Sequence, residues 1–139
     1  MEVEFSAVPT DQVLPLWNRV APLFQKLLDR EGRGSLEDIF KKLAIDKTDL
    51  LWITWEKNNL DNILMVVITR LYKDHSLELL ACSGKKRYLW LDYMFPILEK
   101  FANDNNCKTI LIKHGRKGWK RDLEKQGMKI TGYTFEKSI

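Results

Sequence analysis

The stretch of this sequence best suited to chemistry runs from Cys82 through Ser83-Gly84 to Lys85-Lys86-Arg87. Three consecutive cations behind a glycine could neutralise a phosphate. The glycine would let the backbone approach the anion, and a helix start would offer unpaired amides. A thiolate at Cys82 would be reactive if its pKa were lowered by that basic neighbourhood. The plainer reading is a basic helix start on a solvated surface, beside a buried structural thiol. No histidine pairs with the cysteine in the sequence, so the thiol is expected to be structural.

Other chemistries are excluded by count and spacing. Cys82 and Cys107 lie 25 residues apart without a CxxC pattern, which rules out a zinc ribbon and a disulfide scaffold. His75 and His114 are too few and too isolated for a metal cluster. The net charge of +4 is uneven: residues 106–139 hold nine Lys/Arg against three Asp/Glu, and the remainder is slightly acidic. A basic C-terminal third attracts anions or an acidic partner surface, or simply solvates the fold. Five tryptophans, Trp17, Trp52, Trp55, Trp90 and Trp119, are expected mostly in the core, with one or two as interface anchors.

These residues need a scaffold, and 139 residues with 45% hydrophobic and 30% charged content make one domain. Residues 2–8 alternate as a short strand. Thr10 is placed to cap a helix carrying Val13, Trp17, Val20, Phe24 and Leu27, which Pro15 and Pro22 should kink or divide. Gly32-Arg33-Gly34 ends it, and Ser35 with Asp38 opens a second helix to about Leu43. Leu50 to Trp55, Ile63 to Tyr72 and Ser76 to Cys82 read as an antiparallel meander, with residues 57–62 as a turn. A helix from about Tyr88 to Asn105 is interrupted only by Pro96, which should kink it. Cys107 to Lys113 is a strand placed for parallel pairing, Trp119 to Gln126 a short helix stopped by Gly127, and Met128 to Lys137 a final strand. The order β-α-α-β-β-β-α-β-α-β predicts an α+β (α/β sandwich) domain over 1–139, a mixed central sheet flanked by helices.

This order resembles the GNAT acyltransferase superfamily over nearly the whole chain. The resemblance is carried by Leu77-Glu78-Leu79-Leu80-Ala81-Cys82, by Glu99-Lys100-Phe101-Ala102, by Thr109-Ile110-Leu111-Ile112 and by the segment from Trp119 to Gly127-Met128. Val8-Pro9, Leu51-Trp52 and Arg116-Lys117-Gly118-Trp119 are also similar to small GNAT-like proteins encoded by tailed bacteriophages. The resemblance implies a coenzyme A pyrophosphate loop at Ser83–Trp90, with Cys82, Gly84, Lys85, Lys86 and Arg87 as cofactor-binding candidates. That loop has one glycine where the family uses several, and Arg87, Tyr88 and Trp90 bring bulk. The family's tyrosine acid falls on Leu123, which cannot donate a proton; Tyr93 and Tyr133 lie elsewhere. Glu78 is the candidate general base, although a solvent-facing strand residue is the expected reading.

The sequence therefore points to a GNAT-like fold with a degenerate acyl-CoA site, no assigned catalytic residue and no expected cofactor. Its expected role is that of a virion-associated or host-directed interaction protein with a protein partner, in the virion or host cytoplasm. The alternative is an active acetyl-CoA-dependent N-acetyltransferase with an atypical phosphate loop. Nucleic-acid binding through Lys113, Arg116, Lys117, Lys120 and Arg121 is disfavoured, because no aromatic-basic binding motif accompanies them. No apolar run reaches the roughly 20 residues of a membrane helix, and no signal-peptide core precedes the first strand.

Overall fold

The computed structural model describes residues 2–32, 34–84, 87–113, 124–125 and 127–128, without the side chains of residues 60 and 87–91. Among the described residues five strands form one sheet whose spatial order is the chain order: β1 (Val3–Val8), β2 (Leu50–Glu56), β3 (Asn59–Leu71), β4 (Ser76–Gly84) and β5 (Thr109–Leu111). The first four pair antiparallel, and β5 joins β4 in parallel. Three helices connect them: α1 (Val13–Glu31), α2 (Leu36–Phe40) and α3 (Arg87–Asp104). The expected α+β architecture, a mixed sheet between helices, is what forms.

Side-chain alternation divides the core between the two faces. Trp52, Met65, Val67 and Leu79 pack with Met94, Phe95 and Leu98 of α3. Leu51, Ile53, Val66 and Ile68 pack with Val20, Leu23 and Phe24 of α1 and with Leu43. Trp52 anchors the α3 face. Its ring stacks on Phe5 at 5.2 Å and meets Phe101 edge-on at 5.0 Å, while its Nε1 donates to Thr69 Oγ1 at 2.9 Å. The buried indole is thereby satisfied as well as packed.

Two expectations, the cap at Thr10 and the turn over 57–62, are corrected, and of the two alternatives for the first helix the divided one does not form. Thr10 caps nothing: Thr10–Gln12 is a 3-10 turn that begins at Pro9, so Thr10 lies inside it, and Gln12 precedes α1 without a side-chain cap. Pro15 and Pro22 do not divide α1, which runs unbroken for 19 residues. Pro15 falls in the first turn, where the missing N–H has no intrahelical partner to lose. Pro22 and Asn18, whose carbonyl it leaves unpaired, are both exposed, so water can replace the bond. Pro96, also exposed, lies inside α3, which is likewise continuous over Arg87–Asp104. The turn expected over 57–62 is only Lys57-Asn58, with Asn58 at φ +68°. Asn59 to Asn62 belong to β3; Asn62 Nδ2 donates to Glu56 Oε2 at 2.7 Å, and Asp61 pairs with Arg19 at 3.1 Å.

Ser35 caps α2 as expected, its Oγ accepting from the Asp38 amide at 3.1 Å, and the chain continues as a π turn over Lys41–Ile45. Glu124-Lys125 is helical, and Gly127 has φ +84°, in keeping with a helix stop there. The rest of the helix from Trp119 and the final strand to Lys137 lie outside the described residues.

Candidate functional site

The two edges of β4 differ. On one side β3 covers it almost completely, Met65–Leu71 lying against Leu77–Gly84. On the other, β5 pairs only with Ser76, Leu77 and Glu78. From Leu79 onward no strand among the described residues takes up the second edge. A β-bulge sits where that pairing stops: Ile68 is opposite Ala81 and Thr69 opposite Leu79, leaving Leu80 as the extra residue. The bulge resets the alternation, so Leu79 and Cys82 pack on the α3 face while Leu80 and Ala81 pack on the α1 face. Ser83 Oγ donates to the Leu23 carbonyl at 2.8 Å and ties the end of β4 to α1.

Glu78 is the last β4 residue paired with β5, and it is 3% exposed. The expectation that it faces solvent is therefore corrected: β4 is an interior strand with helices on both faces of the sheet. A buried carboxylate needs partners, and Tyr72 and Lys113 supply them. Tyr72 Oη donates to Glu78 Oε1 at 2.6 Å. Lys113 Nζ lies 3.7 Å from the same oxygen and 5.6 Å from the centre of the Tyr72 ring. Arg70 is Glu78's cross-strand partner and is clamped by Asp49, Nε to Oδ1 at 2.6 Å and Nη2 to Oδ2 at 3.0 Å. Two carboxylates thus face two cations around one phenol.

The bond to Glu78 holds the Tyr72 hydroxyl above its usual pKa, and burial adds to the effect. The phenol is therefore a proton donor to the carboxylate at neutral pH. Asp49 likewise raises the Arg70 pKa, so the guanidinium stays charged.

The residues singled out in the sequence fall unevenly around this centre. Cys82 Sγ is buried in the α3-side core, 3.5 Å from Met65 Sδ, so what β4 offers outward there is backbone. Gly84 is explained by packing: a Cβ would collide with the Leu64 carbonyl and stand 2.6 Å from Met65 Cα. Arg87 opens α3, three positions after Gly84 ends β4. Its side chain, Lys85, Lys86, His114, Arg116, Lys117, Trp119, Lys120, Arg121, Leu123 and Tyr133 lie outside the described residues. Tyr93 is on α3 and 52% exposed.

Asp49, Arg70 and Tyr72 were not singled out by the sequence, and Lys113 only as part of a basic cluster. A signal existed. A tight turn at residues 73–75 brings Tyr72 beside Ser76, its amide donating to the Ser76 carbonyl at 3.0 Å, which sets Arg70 opposite Glu78. Among the described residues no group of three or more metal-ligating side chains forms, and no helix is long and apolar enough to cross a membrane.

The fold is shared with solved acetyltransferases along nearly the whole chain. An aminoglycoside acetyltransferase from an uncultured soil metagenomic sample, in complex with trehalose, matches with a TM-score of 0.71 at 8% identity, over 99% of this chain and 96% of that one. This is the GNAT fold. A ribosomal-protein-alanine N-acetyltransferase from Brucella melitensis biovar Abortus 2308 matches with a TM-score of 0.69 at 12% identity, over 99% of each chain. A possible acetyltransferase from Clostridium difficile 630 gives 0.69 at 13%, over 100% and 98%. No protein-family profile and no curated protein matches the sequence. At these identities the likeness establishes the GNAT fold and leaves the chemistry to the residues.

Proposed function

We propose that this protein is an acyl-CoA-dependent N-acyltransferase acting on a primary amine. The observation that carries the reading is Glu78, a buried carboxylate at the point where β4 loses its β5 partner. The backbone edge from Leu79 to Gly84, which no described strand covers, can take an extended, amide-bearing chain such as pantetheine as an added strand. Its far end leads to the start of α3, where backbone amides and the Lys85-Lys86-Arg87 run favour a pyrophosphate. Those residues would hold coenzyme A, and the cofactor supplies an activated thioester. Glu78 accepts the proton of the incoming ammonium, and Tyr72 fixes the carboxylate's orientation through its 2.6 Å bond. Once CoA leaves as a thiolate it needs a proton, and Leu123 has none to give. On this reading water or Tyr72 supplies it.

A second reading keeps the fold and drops the chemistry: a phage-type interaction protein, in a virion or directed at a host protein. Gly84 favours it. Its missing side chain is required by Leu64 and Met65, so the loop's one glycine is accounted for without a phosphate.

One experiment separates them. Acetyl-CoA is titrated by calorimetry, and CoA release is then followed with an alanine-terminated peptide, an aminoglycoside and a polyamine as acceptors. Saturable binding, with transfer lost in Glu78→Gln, supports the enzyme. Absence of binding and of transfer leaves the interaction protein.

A further inference from the structure

We propose that Lys113 is a self-acylation site: its own amine, held between Glu78 and Tyr72, is acylated by the bound thioester. This rests on the acyltransferase reading above and adds a modification that the fold does not imply.

Position is the first argument. Leu111 is the register partner of Glu78, and Lys113, two residues further on, reaches back to the Glu78 carboxylate at 3.7 Å. The amine therefore belongs to a residue two positions beyond the last paired one, where the described pairing of β4 with β5 has ended. Its side chain is 50% exposed, whereas that of Glu78 is 3% exposed. A thioester arriving along the β4 edge can reach the nitrogen while the base stays shielded from water.

Contrast with other lysines is the second. Lys100 pairs with Asp104 at 2.9 Å, Lys57 with Glu2 at 3.4 Å and Lys41 with Asp46 at 4.0 Å. In each of these pairs the carboxylate is well exposed, 57%, 79% and 40% respectively. The partner of Lys113 is a buried carboxylate, 3% exposed, whose charge is screened little by solvent.

The step balances. The Lys113 ammonium gives one proton to Glu78. Nζ then attacks the thioester carbonyl carbon, the N–C bond forms and the C–S bond breaks. CoA departs as thiolate and takes the second proton lost from nitrogen, and the proton on Glu78 passes to water. The product is a neutral amide. It can no longer pair with Glu78 or present a cation to the Tyr72 ring, so acylation rewrites the charge around the base.

The test uses the full chain with isotopically labelled acetyl-CoA, intact-mass analysis and peptide mapping. The expected result is one fast adduct at Lys113. It should form at a rate independent of protein concentration and about 100-fold faster than at Lys100. Glu78→Gln should bring Lys113 down to the Lys100 rate. Should that variant unfold, the concentration independence and the Lys113→Arg variant, which must lose the fast adduct, carry the test. Acetylation of Lys113 no faster than Lys100, in protein that does acetylate a free amine, overturns this proposal alone. Protein that neither binds acetyl-CoA nor acylates any amine overturns both.

Discussion

The two edges of β4 are made from the same residues and do opposite work. Toward β3 the strand is sealed from Leu77 to Gly84, and its side chains enter the cores on both faces. Toward β5 the pairing ends at Glu78, and no described strand takes up the backbone beyond it. The bulge at Leu80 lies between the two regimes. A strand can be held firmly along one edge and stay available along the other, because the apolar packing that stabilises it comes from its faces.

The contrast can be broken from the sealed side first. Trp52→Ala removes an indole packed against Phe5 and Phe101, and should cost about 3–5 kcal/mol in equilibrium denaturation. A loss below about 1 kcal/mol would mean that the α3 face does not depend on that ring.

Glu78→Gln addresses the open side. Acyl transfer should fall about 100-fold or more, the range for a general base, near 3 kcal/mol in barrier. Its effect on folding should be smaller, because Lys113 is half exposed and water can solvate it once the partner charge is gone. If transfer is unchanged, the base lies elsewhere.

Gly84→Ala tests the corner where the two edges meet. The clash with Leu64 and Met65 involves backbone and should cost about 1–3 kcal/mol. Thermal melts of the variant with and without acetyl-CoA show whether the damage stays in the sheet or reaches the loop.

Tyr72→Phe should have the smallest effect, about 1 kcal/mol at neutral pH, and a distinctive pH signature. The Tyr72 pKa is raised in the folded protein, so its contribution is complete below the unfolded value near 10. It is lost as pH rises through the raised folded value. The parent should therefore lose stability above about pH 10 relative to Tyr72→Phe. Denaturation midpoints for the pair from pH 8 to 11 that stay parallel would refute the bond's contribution.

Much of the fold was legible because side-chain period reports burial directly. Val3 and Phe5, the meander, the Ser35 cap and the parallel β5 all follow from local pattern. The misreadings share a cause. Pro15 and Pro22 look like breaks in a linear sequence, yet Pro15 falls where the missing bond has no partner to lose and Pro22 faces water. Asn59 to Asn62 look like a turn because their polar groups are paired across a hairpin end. The site was less legible. Glu78 stood out, but its burial depends on β5, a strand 31 residues away. Asp49, Arg70 and Tyr72 acquire meaning only through partners brought to them by pairing.

Sheet order that equals chain order has a consequence for assembly. Each strand docks beside the one made just before it, so the meander from Leu50 to Gly84 closes only short hairpin loops. Local contacts of this kind favour fast formation, and loop-closure entropy is concentrated in two crossings, β1 to β2 and β4 to β5. The second crossing is the one that completes the candidate site. On the ribosome the three-stranded meander should become protease-resistant before α3 and β5 have emerged. The surroundings of Glu78 would then be the last part of the described sheet to take shape, and a truncated chain could be well folded without them.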